Sequence, residues 1–160
     1  MDAIHSDIYS ASGHIAWPVL ILRLAGAAML AAIIGIEREV RKDTAGLRTN
    51  MMIALASATL ALVALELTSG FRLEDSRIRM DPVRLVEAIT SGVAFLAAGV
   101  VIFSKGTVRG LTTGAAMWLS GAIGLAAGLG YWRIAAVAAA LGFIILTLLR
   151  IIETKSGLKS

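Results

Sequence analysis

The sequence contains no cysteine and only two histidines among 160 residues. The first absence excludes disulfide frameworks and thiolate metal sites. The two histidines, His5 and His14, both fall in the N-terminal arm, far in sequence from the other polar clusters. They read as surface residues rather than ligands. Ser91, Ser104 and Ser120 have no nearby histidine or aspartate that would make a nucleophile and base. The expectation is a protein that is not an enzyme and has no metal ligands and no cofactor. The opening stretch MDAIHSDIYSASGHIAWPVL has no positive segment before its apolar run. It does not read as a cleaved signal peptide, and the first apolar block is expected to insert and stay. Long polar stretches are missing as well, which leaves no room for a sizeable soluble domain.

What the chain has in their place is apolar sequence. Hydrophobic residues make up 58% of it, well above the share of a soluble domain. They fall into blocks near the roughly 20 residues that a helix needs to cross a bilayer. The fold class expected is an all-α integral membrane protein with five transmembrane helices. The spans run from about Trp17 to Gly35, Leu47 to Ser69, Val83 to Phe103, Val108 to Gly130 and Trp132 to Ile152. Pro18 is tolerated in a first helical turn. Asp81-Pro82 has the form of a helix start, with a capping aspartate and proline at the first position.

Orientation follows from lysine and arginine in the short loops. The turn after the first span holds Arg38, Arg41, Lys42 and Arg48, the turn after the third holds Lys105 and Arg109, and the tail holds Arg150, Lys155 and Lys159. The opposite side has fewer: Arg72, Arg77, Arg79 and Arg133. The N-terminus is therefore placed outside and the C-terminus in the cytoplasm. Residues 1–16 form an outer, periplasmic arm, 17–152 the five-helix domain and 153–160 a cytoplasmic tail. Trp17, Tyr131 and Trp132 then lie at the outer interface. The net charge of +4 suits basic cytoplasmic loops and does not argue for nucleic acid.

Three ionisable residues fall inside spans: Arg23, Glu66 and Glu87. Charge within a bilayer is costly and is usually paired. An ion pair of Arg23 with Glu66 or Glu87 is one reading, and a polar pocket or cation path open to the outside is the other. The fourth span is rich in glycine: Gly114, Gly121 and Gly128 recur every seven residues, and Gly124 to Gly128 is a G-x-x-x-G. Small residues so spaced let helices approach closely in lipid. They serve either packing within one bundle or the seam of a homodimer.

The turn GIEREVRKDTAGLRTN is densely charged. Part of its answer is an echo later in the chain. Ala28-Met29-Leu30-Ala31-Ala32 matches Ala94-Phe95-Leu96-Ala97-Ala98 in pattern, and Gly46-Leu47-Arg48-Thr49 matches Gly110-Leu111-Thr112-Thr113 with Arg109 before it. That would be a parallel repeat with its axis along the membrane normal. Two helices would then begin at the cytoplasmic face, where free N–H groups attract anions. Arg38, Arg48, Thr49, Asn50, Lys105, Arg109, Thr112 and Thr113 are the candidate residues of an anion- or partner-binding face. The plainer alternative is positive-inside anchoring to lipid headgroups with helix capping. Glu37 and Arg41, at i, i+4, brace the end of the first span.

The segments GIEREVRKDTAGLRTNMMIALAS and SGVAFLAAGVVIFSKGTVRGLTTGAAMWLSGAIGLAAGLG resemble the MgtC/SapB family of bacterial inner-membrane proteins. The resemblance covers roughly Arg23 to Leu149. Asn50 stands where many members have histidine, and Ala97 where many have glycine. Many members continue into a cytoplasmic domain, whereas this sequence ends at Ser160, so a short form without that domain is expected. The resemblance implies a multi-pass protein of the bacterial inner membrane. It also implies a link to growth at low Mg²⁺ and, in pathogens, to survival inside host cells. The partners expected from composition and glycine spacing are the lipid bilayer and a second copy (a dimer favoured), and the resemblance implies another inner-membrane protein such as an ATP synthase or a phosphate transporter. Two function classes follow. One is a non-enzymatic regulatory or interaction protein linked to Mg²⁺ and phosphate homeostasis. The other is a small oligomeric transporter or channel for Mg²⁺ or a phosphate-containing anion.

Overall fold

The computed structural model describes residues 14–71, 81–104 and 107–156. Five helices make up nearly all of it: α1 (Trp17–Val40), α2 (Leu47–Phe71), α3 (Pro82–Gly99), α4 (Leu111–Gly128) and α5 (Trp132–Ser156). α1, α2 up to Thr68, and α4 are long and apolar enough to cross a membrane. The expected arm up to residue 13, the loop 72–80 and the end of the tail from residue 157 lie outside the described residues.

Helix starts follow local chemistry. Pro18 sits in the first turn of α1, where no intrahelical donor is lost. Asp81 caps α3, its carboxylate accepting from the Val83 N–H at 2.9 Å. Two expected boundaries are corrected. α1 runs on to Val40, five residues past Gly35, because Glu37 and Arg38 stay within packed structure. The third span does not reach Phe103: α3 ends at Gly99, and Ile102–Ser104 (β1) pairs antiparallel with Thr107–Arg109 (β2) before α4 begins at Leu111. Val, Ile, Phe and Thr suit a strand as well as an apolar helix, so this stretch reads as membrane span from hydropathy alone. Gly110 takes φ +86°, and a Cβ there would collide with the Val100 carbonyl. Only glycine fits so tight an entry to α4.

α4 is the central helix and packs on all four others. It runs alongside α2 in the same direction, with Gly124 against the backbone of Ala54 and Gly128 against that of Ala58. It runs opposite to α3, with Gly114 on Ala97 and Gly121 on Val93. α5 runs with α1, its Trp132 ring against Gly26 and its Gly142 beside Ile34. Direction thus alternates along the chain, and the α1–α2 and α3–α4 pairs share the same two directions. Between the ends the core is almost entirely Ala, Gly, Leu and Ile: Ala27, Ile34, Ala54, Ala58, Ala61, Ile123 and Ala127 are fully enclosed.

Candidate functional site

One end of the bundle gathers the last turns of α1 and the first turns of α2 and α4. α1 stops by folding back on itself. The Asp43 N–H reaches the Arg38 carbonyl at 3.2 Å and the Lys42 N–H reaches that of Glu39 at 3.0 Å. Lys42 takes the left-handed φ of 58° that glycine usually supplies at this position. The turn brings the Asp43 carboxylate to Arg38, Oδ2 lying 3.0 Å from Nη2. The same Nη2 donates to Thr113 Oγ1 at 2.6 Å. Arg38 is 2% exposed, so its guanidinium ties α1, the following turn and α4 together from within the fold. A planar donor fork suits such a bridge better than an ammonium.

Glu37 is buried beside it. Arg41 approaches Glu37 Oε1 at 3.8 Å and Asp43 Oδ2 at 3.8 Å. Neither Glu37 oxygen accepts a hydrogen bond among the described residues. Two arginines and two carboxylates share the end of α1, which compensates charge where water is scarce. Glu39 reaches across the turn to cap α2, accepting from the Leu47 N–H at 2.9 Å. A Cβ at Gly46 would strike that carboxylate, which explains a glycine just ahead of the helix.

Asn50 is fully enclosed. Its Nδ2 donates to the carbonyls of Ala45 at 3.1 Å and Gly46 at 2.8 Å. Its Oδ1 accepts from Ser120 Oγ at 2.8 Å. All three of these contacts and those of Arg38 stay within the chain, and together they lock α1, α2 and α4 at this end.

The candidate anion face therefore divides. Arg38, Asn50 and Thr113 are interior and engaged with the fold. Arg48, Arg109 and Thr112 are exposed and Thr49 is half-buried. Lys105 lies outside the described residues. Sequence reasoning missed three participants: Asp43, Ser120 and the burial of Glu37. A signal for Ser120 was present, since it follows Thr113 by seven residues on an otherwise apolar helix.

At the opposite end, Arg23 donates to the Gly128 carbonyl at 3.0 Å and lies against Gly130, satisfying the end of α4. Glu66 accepts from the Ile15 N–H at 2.6 Å and meets His14 Nδ1 at 2.8 Å. His14 lies on the surface as expected, and although distant in sequence its exposed ring meets Glu66. Glu87 is exposed on α3, away from this group's described contacts. Gly114, Gly121, Gly124 and Gly128 all face neighbouring helices of the same chain.

A family model for the MgtC family matches residues 24–155, a stretch that takes in the whole Arg38–Asn50 end and most of all five helices. The chain belongs to the MgtC family. It is 41% identical over 127 residues to the protein MgtC of Brucella abortus, covering 79% of this chain and 50% of that one. It is 38% identical over 117 residues to the protein SapB of Bacillus subtilis, covering 72% of this chain and 50% of the relative. It is also 38% identical over 113 residues to the protein MgtC of Salmonella typhimurium, covering 71% and 45%. The chain thus spans about half the length of the curated relatives it matches. No solved structure matches it. As a member of this family with apolar helices of membrane-crossing length, it is a membrane protein.

Proposed function

We propose that this MgtC-family chain is a non-enzymatic regulatory or interaction protein of the bacterial inner membrane. It crosses the bilayer five times, with the arginine-rich end of the bundle in the cytoplasm, and serves Mg²⁺ and phosphate homeostasis. The observation that supports a regulator over a carrier is the closed middle of the bundle. Between the Asn50–Ser120 pair at one end and Arg23 at the other, the shared core of α1, α2 and α4 is close-packed and, among the described residues, apolar but for Ser57. Gly124 and Gly128 bring α4 onto the backbone of α2, so that a single methyl group would collide there. An ion has no row of polar groups to follow through such a core, and each unsolvated charge would be costly.

The cytoplasmic end offers a surface instead. Arg48 and Arg109 project from a base that Arg38, Asn50 and Thr113 hold rigid. Exposed guanidinium groups near a membrane suit anionic partners or lipid headgroups. The test is uptake of Mg²⁺ and of phosphate by liposomes holding the purified protein, with and without a membrane potential. No flux above empty liposomes is expected. Saturable flux that disappears with Glu87→Gln or Glu66→Gln would overturn the regulatory reading and establish a transporter.

A further inference from the structure

We infer that α3 is the seam of a two-fold homodimer, a placement that rests on the reading of α3 as a membrane span. The glycines of α4 leave no seam to offer, because each is filled by a neighbouring helix of its own chain. α3 differs. It packs on α4 through Ile89 and Val93 and barely touches the rest of the bundle. A Cβ added at Gly92 or Gly99 would meet nothing within 4 Å.

The free faces of the other outer helices carry large apolar side chains suited to lipid: Ile21, Leu22 and Met29 on α1, Ile134, Leu141 and Ile144 on α5. The free face of α3 exposes Val83, Val86, Phe95 and Leu96 as well, but it also carries the charged Arg84 and Glu87 and, in line with them, Ser91 and Gly92. Neither Arg84 nor Glu87 has an ion-pair partner among the described residues. Acyl chains are a poor solvent for that set. A second copy is a good one. Two chains inserted alike and related by a two-fold axis along the membrane normal bring their α3 helices side by side. Gly92 and Ser91 permit close approach at the crossing. Arg84 of each copy then lies one turn from the partner's Glu87, giving two reciprocal ion pairs near the membrane surface.

The lack of native cysteine makes the test direct. Single cysteines placed at Ser91, Phe95, the inward-facing Val93 and, on α5, Ile144 are oxidised in native membranes. Disulfide-linked dimers are expected for Ser91→Cys and Phe95→Cys, several-fold above Val93→Cys and Ile144→Cys. Added to Ser91→Cys, Arg84→Glu should lower the dimer yield several-fold, and Arg84→Glu with Glu87→Arg should restore it. Equal yields at all four positions, or no restoration by the swap, would overturn the proposal. A water-soluble maleimide separates the two ways of failing. Cysteines on α3 that are protected yet uncrosslinked overturn the dimer alone. Free labelling along the whole of α3 overturns the span assignment and the dimer together.

Discussion

Arg38 ties three parts of the fold together, because one guanidinium joins the α1 end to Asp43 and to Thr113 of α4. Arg38→Ala should destabilise the protein by about 2–3 kcal/mol, short of the roughly 3–5 kcal/mol of a pair buried on both sides, since Asp43 keeps some contact with solvent. Arg38→Lys should recover little, because an ammonium cannot span both acceptors with the geometry of the fork. Unfolding of the detergent-solubilised protein measures both. Asn50→Ala leaves Ser120 without its acceptor and should cost about 1–3 kcal/mol. A double-mutant cycle with Ser120→Ala isolates the shared bond, and additive losses would show that the pair does not couple. Lys42→Gly should raise stability by about 1 kcal/mol by removing the left-handed strain at φ 58°. These residues were only partly legible. Arg38 and Asn50 stand out in sequence as polar groups in a charged turn, but burial depends on Thr113 and Ser120, some 70 positions later. A charge run after an apolar block looks the same whether water or another helix covers it.

At the scale of the helix, close contact explains the glycines. Gly124→Ala and Gly128→Ala each add a methyl group where α2 backbone already lies. Each should cost about 1–3 kcal/mol through overpacking. Gly92→Ala meets open space and should leave the detergent-solubilised monomer within about 1 kcal/mol of the parent. Thermal midpoints of the three variants decide the matter, and equal behaviour would contradict the packing described. The starts of α1, α2 and α5 at Trp17, Leu47 and Trp132 were legible because apolar blocks begin there. The end of α1 and the β1–β2 hairpin were not. Helical continuation to Val40 depends on tertiary cover for Glu37 and Arg38, and residues 102–109 satisfy strand and span patterns alike.

For the whole molecule, two polar ends enclose an apolar middle. The Arg38–Asn50 end locks α1, α2 and α4, and at the other end Glu66 holds the chain at His14 and Ile15. Charge patterning in the loops placed the arginine-rich turn at one pole, and apolar block lengths placed the helices. The shared direction of α2 and α4 was legible in the echo of Gly46-Leu47-Arg48-Thr49 with Gly110-Leu111-Thr112-Thr113, whereas their direct contact, which closes the core, has no local signature. The measurement that bears most directly on this closed bundle is thiol accessibility in intact membranes, with each introduced cysteine the sole thiol. Ser57→Cys and Ile123→Cys should stay unlabelled by a small water-soluble reagent added to either side, while Arg48→Cys labels from the cytoplasmic side and all three label after denaturation. Labelling of Ile123→Cys in the folded protein would reveal water in the middle of the bundle and contradict the account.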